Sequence, residues 1–266
     1  MSFADKVIVI TGASDGIGAE LARQLSRDKP KLVLAARRLD ALRAVAAQCE
    51  ALGAATFVLS TDVSIEADCR SLIAHAVDKF GCIDAVVNNA GISMHANFDE
   101  ITDTGVYEKL MRVNLMGSIW PTHAALPHLK LSKGLVVAVA SLAGLIGVPG
   151  RTTYCATKFA QTGFFEALRV ELAPDGVDVC IVYPGVVATE IRRNGWNAKG
   201  QTAGVSGLNE EGAMSVGECA GLIVSAMRSR KREEVMSAKG KLGRWIKLLA
   251  PAKLDAMARA ALAKGR

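Results

Sequence analysis

Residues 11–18 read TGASDGIG; they follow an apolar run at 6–10 and precede a helical pattern starting near residue 17. Glycines at 12, 16 and 18 let the chain turn tightly and bring backbone close to a ligand with no Cβ in the way. A helix starting there presents unpaired N–H groups and the positive end of its dipole, a seat for pyrophosphate. The spacing is Gly-x-x-x-Gly-x-Gly, a modest signal in isolation. Its surroundings decide the fold.

Outward from this turn, short runs rich in Val, Ile and Leu recur at 6–10, 31–36, 55–60, 83–87, 135–140, 177–183 and 233–237. They read as buried strands. Helical periodicity fills the gaps at 17–28, 39–52, 66–80, 104–131, 153–173 and 216–230. Strand then helix, repeated, predicts an α/β fold with one doubly wound, Rossmann-type parallel sheet and helices on both faces. Pro121 and Pro127 fall inside the 104–131 pattern and predict a kink or an early end there. The stretch 193–212 is polar and glycine-rich, so 186–215 reads as a mobile substrate insertion. The expected division is a dinucleotide-binding and catalytic domain over 1–237 and a basic amphipathic helical extension over 238–266.

Composition narrows the classes. The 266 residues are 50% hydrophobic but only 5% aromatic, suiting tightly packed helix-on-sheet layers. Six cysteines without a CxxC pair read as reduced, mostly buried thiols in a cytoplasmic protein. Four scattered histidines do not form a metal site. No secretory signal is visible, and the longest uncharged stretch, 134–150, is broken by glycines and Pro149. The pI of 9.1 comes from the tail. Residues 238–266 hold eight Lys/Arg against one Asp, leaving 24 basic and 25 acidic residues elsewhere, so nucleic-acid binding is not indicated.

The second strand ends KLVLAARRLD, residues 31–40. In such a fold an acid at this point bonds the 2′-hydroxyl of NAD, whereas arginine accommodates the 2′-phosphate of NADP. Here Ala36 is followed by Arg37 and Arg38, and the first acid is Asp40. Guanidinium matches phosphate with paired N–H groups, so NADP(H) is the expected cofactor. Further along, TYCATKFA (153–160) sets Tyr154 and Lys158 four apart, on one helix face. A nearby ammonium favours the phenolate of a tyrosine acting in proton transfer. The fifth strand ends on Ser141, whose hydroxyl could hold a carbonyl oxygen. NNAG follows the fourth strand at 88–91, and YPGVVATE follows the sixth at 183–190. Asn114 sits within a helical pattern, where a buried amide needs a specific polar partner.

Taken together, TGASDGIG, Asp62-Val63, NNAG, Asn114, Ser141, YCATK and PGVVAT resemble, in order and register, the short-chain dehydrogenase/reductase family. The resemblance implies Tyr154 as general acid/base and Lys158 as the ribose-binding residue that depresses the Tyr154 pKa. It implies Ser141 as the residue orienting the carbonyl or alcohol, and Asn114 as holder of a water linking Lys158 to solvent. Gly12, Ser14, Asp15, Gly16, Ile17 and Gly18 would surround the phosphates, with Asp62 and Val63 at the adenine and Asn89, Ala90 and Gly91 at the ribose. Pro184, Gly185, Val187 and Thr189 would hold the carboxamide end. Asp15 departs from the pattern, because many NADP-using members carry a base just before the second glycine. That leaves Arg37, with Arg38, as the determinant of the cofactor. Family habit also implies a homo-oligomer, dimer or tetramer, through the helices at 104–131 and 153–173.

Substrate contacts are expected from Met94, His95, Leu142, Val148 and Trp196, with Ser141 and Tyr154. The apolar wall points to a small lipophilic ketone/secondary alcohol pair. Two alternatives remain open: an NADP-sensing or scaffold protein, and an epimerase or dehydratase of the same fold. In the tail, Leu242, Trp245, Ile246 and Leu249 follow helical spacing, and after Pro251 come Leu254, Met257, Ala258 and Leu262. Two readings stand: an interfacial helix pair on anionic lipid, giving peripheral membrane association, or packing on the body or a second subunit.

Overall fold

In the computed structural model, which describes residues 2–206 and 211–264, the apolar runs pair side by side into one sheet. The strands are β1 (Val7–Thr11), β2 (Lys31–Ala36), β3 (Ala55–Ser60), β4 (Ala85–Asn88), β5 (Leu135–Val139), β6 (Asp178–Tyr183) and β7 (Glu233–Val235). All pairings are parallel, in the order β3-β2-β1-β4-β5-β6-β7. Every residue of β1 and β5 is buried, as expected of strands covered on both faces. Alternation sorts their side chains. Ile8, Ile10, Leu32 and Leu34 meet α1 (Gly16–Ser26), α2 (Leu39–Ala51) and α7 (Val216–Arg228) on one face. Val7, Val9, Val33 and Ala35 meet α3 (Glu66–Phe80), α5 (Gly117–Ser132) and α6 (Thr152–Leu172) on the other. Asp84 locks β1 to β4 at their starts. Its Oδ2 accepts from the Val7 N–H and its Oδ1 from Lys6 Nζ, both at 2.9 Å.

The sheet reverses direction of growth between β1 and β4, and the loops at the carboxyl ends of these strands diverge to open a crevice. The doubly wound architecture read from the sequence is the one found, with ends displaced by one or two residues. β7 stops at Val235 because Ser237 already caps α8 (Ala238–Leu249), its Oγ accepting from the Gly240 N–H at 3.0 Å. α9 (Pro251–Lys264) follows.

One expectation needs correction. The prolines do not end the helix at 104–131. α4 (Gly105–Met111) passes through a π-helical turn, Arg112–Met116, into α5, which runs through both Pro121 and Pro127 to Ser132. The irregularity lies upstream of the prolines, where the wider turn carries Asn114; such turns recur at functional sites. The described parts of the 186–215 insertion touch the body through backbone hydrogen bonds. Trp196 N–H donates to the Ser93 carbonyl and His95 N–H to the Trp196 carbonyl. Gly195 permits this approach, since a Cβ there would lie 2.7 Å from the Ser93 oxygen. Residues 207–210 of the insertion lie outside the described residues, as do 265–266 and the side chain of Leu262 in the tail.

Candidate active site

A cleft of about 750 Å³ opens at the carboxyl edge of the sheet, within the usual range for a ligand site. The glycine turn forms one end. Gly12 has φ +66°, and a Cβ on it would lie 2.8 Å from Ala90 Cα. Gly18 lies on α1 behind the turn, where a Cβ would meet the Gly12 carbonyl oxygen at 2.3 Å. These glycines let α1, β1 and the β4 loop close on one another. Asn89 cements the junction: its Nδ2 donates to the carbonyls of Thr11 (3.0 Å) and Gly12 (3.1 Å). The first turn of α1 carries no acid, and Gly12, Ser14, Gly16 and Ile17 line the cleft beside it. Asp15 Oδ1 accepts from the Gly16 N–H at 2.7 Å, and Oδ2 pairs with Arg38 Nη2 at 3.4 Å. The acid before the second glycine is therefore tied to Arg38. Arg37 is exposed on the cleft wall, and no ion pair involves it among the described residues.

The remaining cofactor candidates gather along the same wall: Asp62 and Val63 after β3, Ala90 and Gly91 after β4, and Pro184, Gly185, Val187 and Thr189 after β6. Gly18 alone of the predicted set does not line it.

At the other end stand Ser141, Tyr154 and Lys158. Ser141 follows β5, and its Oγ accepts from the Ala143 N–H at 3.2 Å. That leaves its own O–H free to donate. Tyr154 and Lys158 project from the same face of α6, with Lys158 Nζ 5.9 Å from the phenol ring centre. Lys158 is buried and donates to the Val139 carbonyl (2.9 Å) and to Gln161 Oε1 (3.0 Å). An ammonium has three protons, so one remains for the cleft. Burial, reinforced by the Arg151 charge, pulls the Lys158 pKa down to about 7.

Beneath Lys158 lies a buried polar chain. Gln161 Nε2 donates to Ser118 Oγ (2.8 Å), and Ser118 Oγ donates to the Asn114 carbonyl (3.1 Å). Asn114 does not line the cleft. Its Oδ1 accepts from the Ile92 N–H at 2.8 Å, and its Nδ2 donates to the Ile92 carbonyl and Thr157 Oγ1, each at 3.0 Å. The amide clamps the β4 loop to α6. Sequence reasoning passed over Gln161, although its i+3 spacing from Lys158 placed it on the same face. It also passed over Arg151, three residues before Tyr154, whose guanidinium carbon lies 4.3 Å from the phenol ring centre.

Of the substrate candidates, Trp196 reaches the cleft with Ser141 and Tyr154. Met94, His95, Leu142 and Val148 do not. Met94 is buried in a cluster with Val106 and Leu110. Leu142 packs toward Gly185 and Gly240. Val148 packs on the Met94 cluster, its N–H 3.3 Å from Cys155 Sγ. His95 sits at the surface beside Gly150, its pKa lowered by partial burial and the Arg151 charge.

Sheet order and cleft together define a dinucleotide-binding α/β protein of the Rossmann class. The chain belongs to the short-chain dehydrogenase family, whose "short chain dehydrogenase" model matches residues 6–200. It is 42% identical over 183 residues to an 11-beta-hydroxysteroid dehydrogenase-like protein 4A of Arabidopsis thaliana, covering 68% of this chain and 61% of that protein. The match thus spans about three fifths of that relative's length. A dehydrogenase/reductase SDR family protein 7-like of Dictyostelium discoideum is 32% identical over 256 residues, covering 94% of this chain and 79% of that one. The solved structure of an alcohol dehydrogenase from the archaeon Thermococcus sibiricus, complexed with 5-hydroxy-NADP, superposes with a TM-score of 0.75. It is 28% identical and covers 86% of this chain and 94% of its own.

Proposed function

We propose that the protein is an NADP(H)-dependent oxidoreductase interconverting a lipophilic ketone and its secondary alcohol, with residues 1–237 as the catalytic unit. One observation carries this reading: Ser141, Tyr154 and Lys158 open together onto a cleft whose far end is the glycine turn and Arg37. The residues suit the cofactor. Beyond the Asp15 cap the first turn of α1 holds no acid and faces the cleft, and Arg37, in no ion pair among the described residues, stands where the second strand ends. The nicotinamide, when bound, supplies or accepts the hydride.

The chain's own groups do the rest. The free Ser141 proton is donated to the carbonyl oxygen. Tyr154 gives that oxygen a proton in reduction and removes it in oxidation. The third Lys158 proton faces the cleft to hold a ribose hydroxyl, and its charge stabilises the negative phenolic oxygen as the proton leaves. Asn114 is a positioning residue that fixes the β4 loop against α6. Arg37 meets the 2′-phosphate. Two relatives support this reading, one an 11-beta-hydroxysteroid dehydrogenase-like protein and one an alcohol dehydrogenase complexed with 5-hydroxy-NADP.

Tyr154→Phe tests it. Ketone reduction should fall by at least about a hundredfold while NADPH binding, followed by its fluorescence, is kept. Retained turnover overturns the assignment. NADPH binding by the wild type without any turnover would favour the sensor reading, and turnover without net cofactor oxidation the epimerase one.

The tail supports a second proposal, peripheral association with anionic lipid. α8 meets the body through Gly240 and Gly243, which face Leu142 and Ile146. Two of its basic side chains also turn inward: Arg244 bonds Glu233, and Lys247 donates to the Leu145 carbonyl at 2.8 Å. Leu242, Trp245 and Leu249 are left exposed, with Lys239 and Lys241 beside them. The apolar stripe is thus not spent on the body, and it has the make-up of an interfacial helix. No helix among the described residues is long and apolar enough to cross a membrane.

A further inference from the structure

We propose that the substrate carries a carboxylate, held by Arg151 at the substrate end of the cleft; this rests on the oxidoreductase reading and narrows its substrate class to lipophilic oxo- or hydroxy-acids.

Arg151 precedes α6, lines the cleft and lies against the Tyr154 ring. Its Nη2 donates to Ser93 Oγ. Its Nε is buried with no acceptor, and its Nη1 makes no hydrogen bond among the described residues. No carboxylate there pairs with it. The groups that act on its charge are the Tyr154 phenol, the Cys155 thiol and the cation Arg192, and its own charge weighs on Lys158 and His95. A guanidinium so enclosed is costly unless an anion meets it. Among the described residues none does, and Arg151 lines the cleft.

The charge of the cleft agrees. Its wall holds seven Lys/Arg side chains against three acids. Those acids are committed elsewhere: Asp15 to Arg38, Asp62 to both the N–H and hydroxyl of Ser64, and Glu190 toward Arg193. Arg37 and Arg38, beside the glycine turn, account for a cofactor's phosphates. Arg151 stands at the opposite end, bonded to the residue whose carbonyl holds Trp196. A planar fork of N–H donors suits a carboxylate better than a point charge would. Ile92, Ile191 and Trp196 nearby offer the apolar wall for the rest of the molecule. The substrate would then be amphipathic, with its carboxylate on Arg151 and its oxygen-bearing carbon before Tyr154.

Calorimetric binding to the NADPH-loaded protein tests this without depending on turnover. Hexanoate and decanoate are compared with hexanol and decanol, in wild type, Arg151→Gln and Arg151→Lys. The acids should bind at least tenfold more tightly than the alcohols. Arg151→Gln should remove that preference, and Arg151→Lys, keeping charge without the fork, should keep part of it. Equal affinity for acid and alcohol in the wild type overturns the proposal, as does a preference that survives Arg151→Gln. Thermal melts of both variants exclude unfolding as the cause of a loss, and the lysine variant decides if the glutamine variant does not fold. Reduction of a neutral ketone, measured alongside, reports on the oxidoreductase reading by itself: turnover there with no acid preference sinks only the carboxylate proposal.

Discussion

Lys158 shows how a buried charge is kept usable. Its ammonium is held by two neutral acceptors, the Val139 carbonyl and Gln161 Oε1, and no acid among the described residues pairs with it. Acceptors favour the charged form, while burial opposes it and sets the pKa near 7. Charge on this group is lost as pH rises. Gln161→Leu removes one acceptor, so the loss should begin earlier, and the alkaline limb of the kcat/KM profile should move down by about one pH unit. A profile displaced only in height would show that Gln161 merely fills space. The same group bears on stability. The unfolded lysine keeps its proton to near 10.5, so between about 7 and 10.5 the unfolded chain binds more protons and stability rises with pH. Lys158→Met should flatten that rise in melts of the cofactor-free protein. Arg37 belongs at this scale too. Arg37→Ala should weaken NADPH binding by roughly 10- to 100-fold and leave NADH binding nearly unchanged; equal losses would show that it does not read the phosphate. Tyr154 and Lys158 were legible because a spacing of four encodes a shared face. Gln161 was not, because its significance depends on Ser118, 43 residues earlier on another helix. Arg151 was passed over, since nothing local reveals that its guanidinium lies over a tyrosine.

At the scale of elements, the first βα unit is the most tightly specified part. α1 can close on β1 only where Gly18 offers no Cβ to the Gly12 carbonyl. Gly18→Ala should therefore displace the helix start, lowering the melting temperature and abolishing NADPH binding together; a variant that keeps both contradicts this packing. The glycine turn and strand pattern were legible because strand burial is a local, periodic property. The π turn was not. Two prolines announced an irregularity, but its place was set by Asn114 reaching Ile92 and Thr157, contacts made across the fold. The contact of the insertion with Ser93 was not legible for a similar reason: nothing local marks Gly195 as the point where the chain lies against that carbonyl.

For the whole molecule, the outward stripe of α8 is the open question that one experiment decides. Replacing Leu242, Trp245 and Leu249 each by Glu should abolish co-sedimentation with phosphatidylserine-containing vesicles and leave ketone turnover intact. If the wild type ignores vesicles and the triple variant instead shifts to a smaller species in gel filtration, the stripe meets a second copy of the chain. The sheet order has a consequence in time. β1 lies in the interior, paired with β2 on one side and with β4, some 75 residues later, on the other. No contiguous half of the chain holds a complete sheet, and the closing of β1 on β4 must wait for a long loop to come together. Such non-local parallel pairing is slow to form, and its unpaired edges are exposed meanwhile. Refolding from denaturant should therefore be slow and lose yield as the protein concentration rises, with Asp84, the residue that bolts Val7 in place, among the last contacts made.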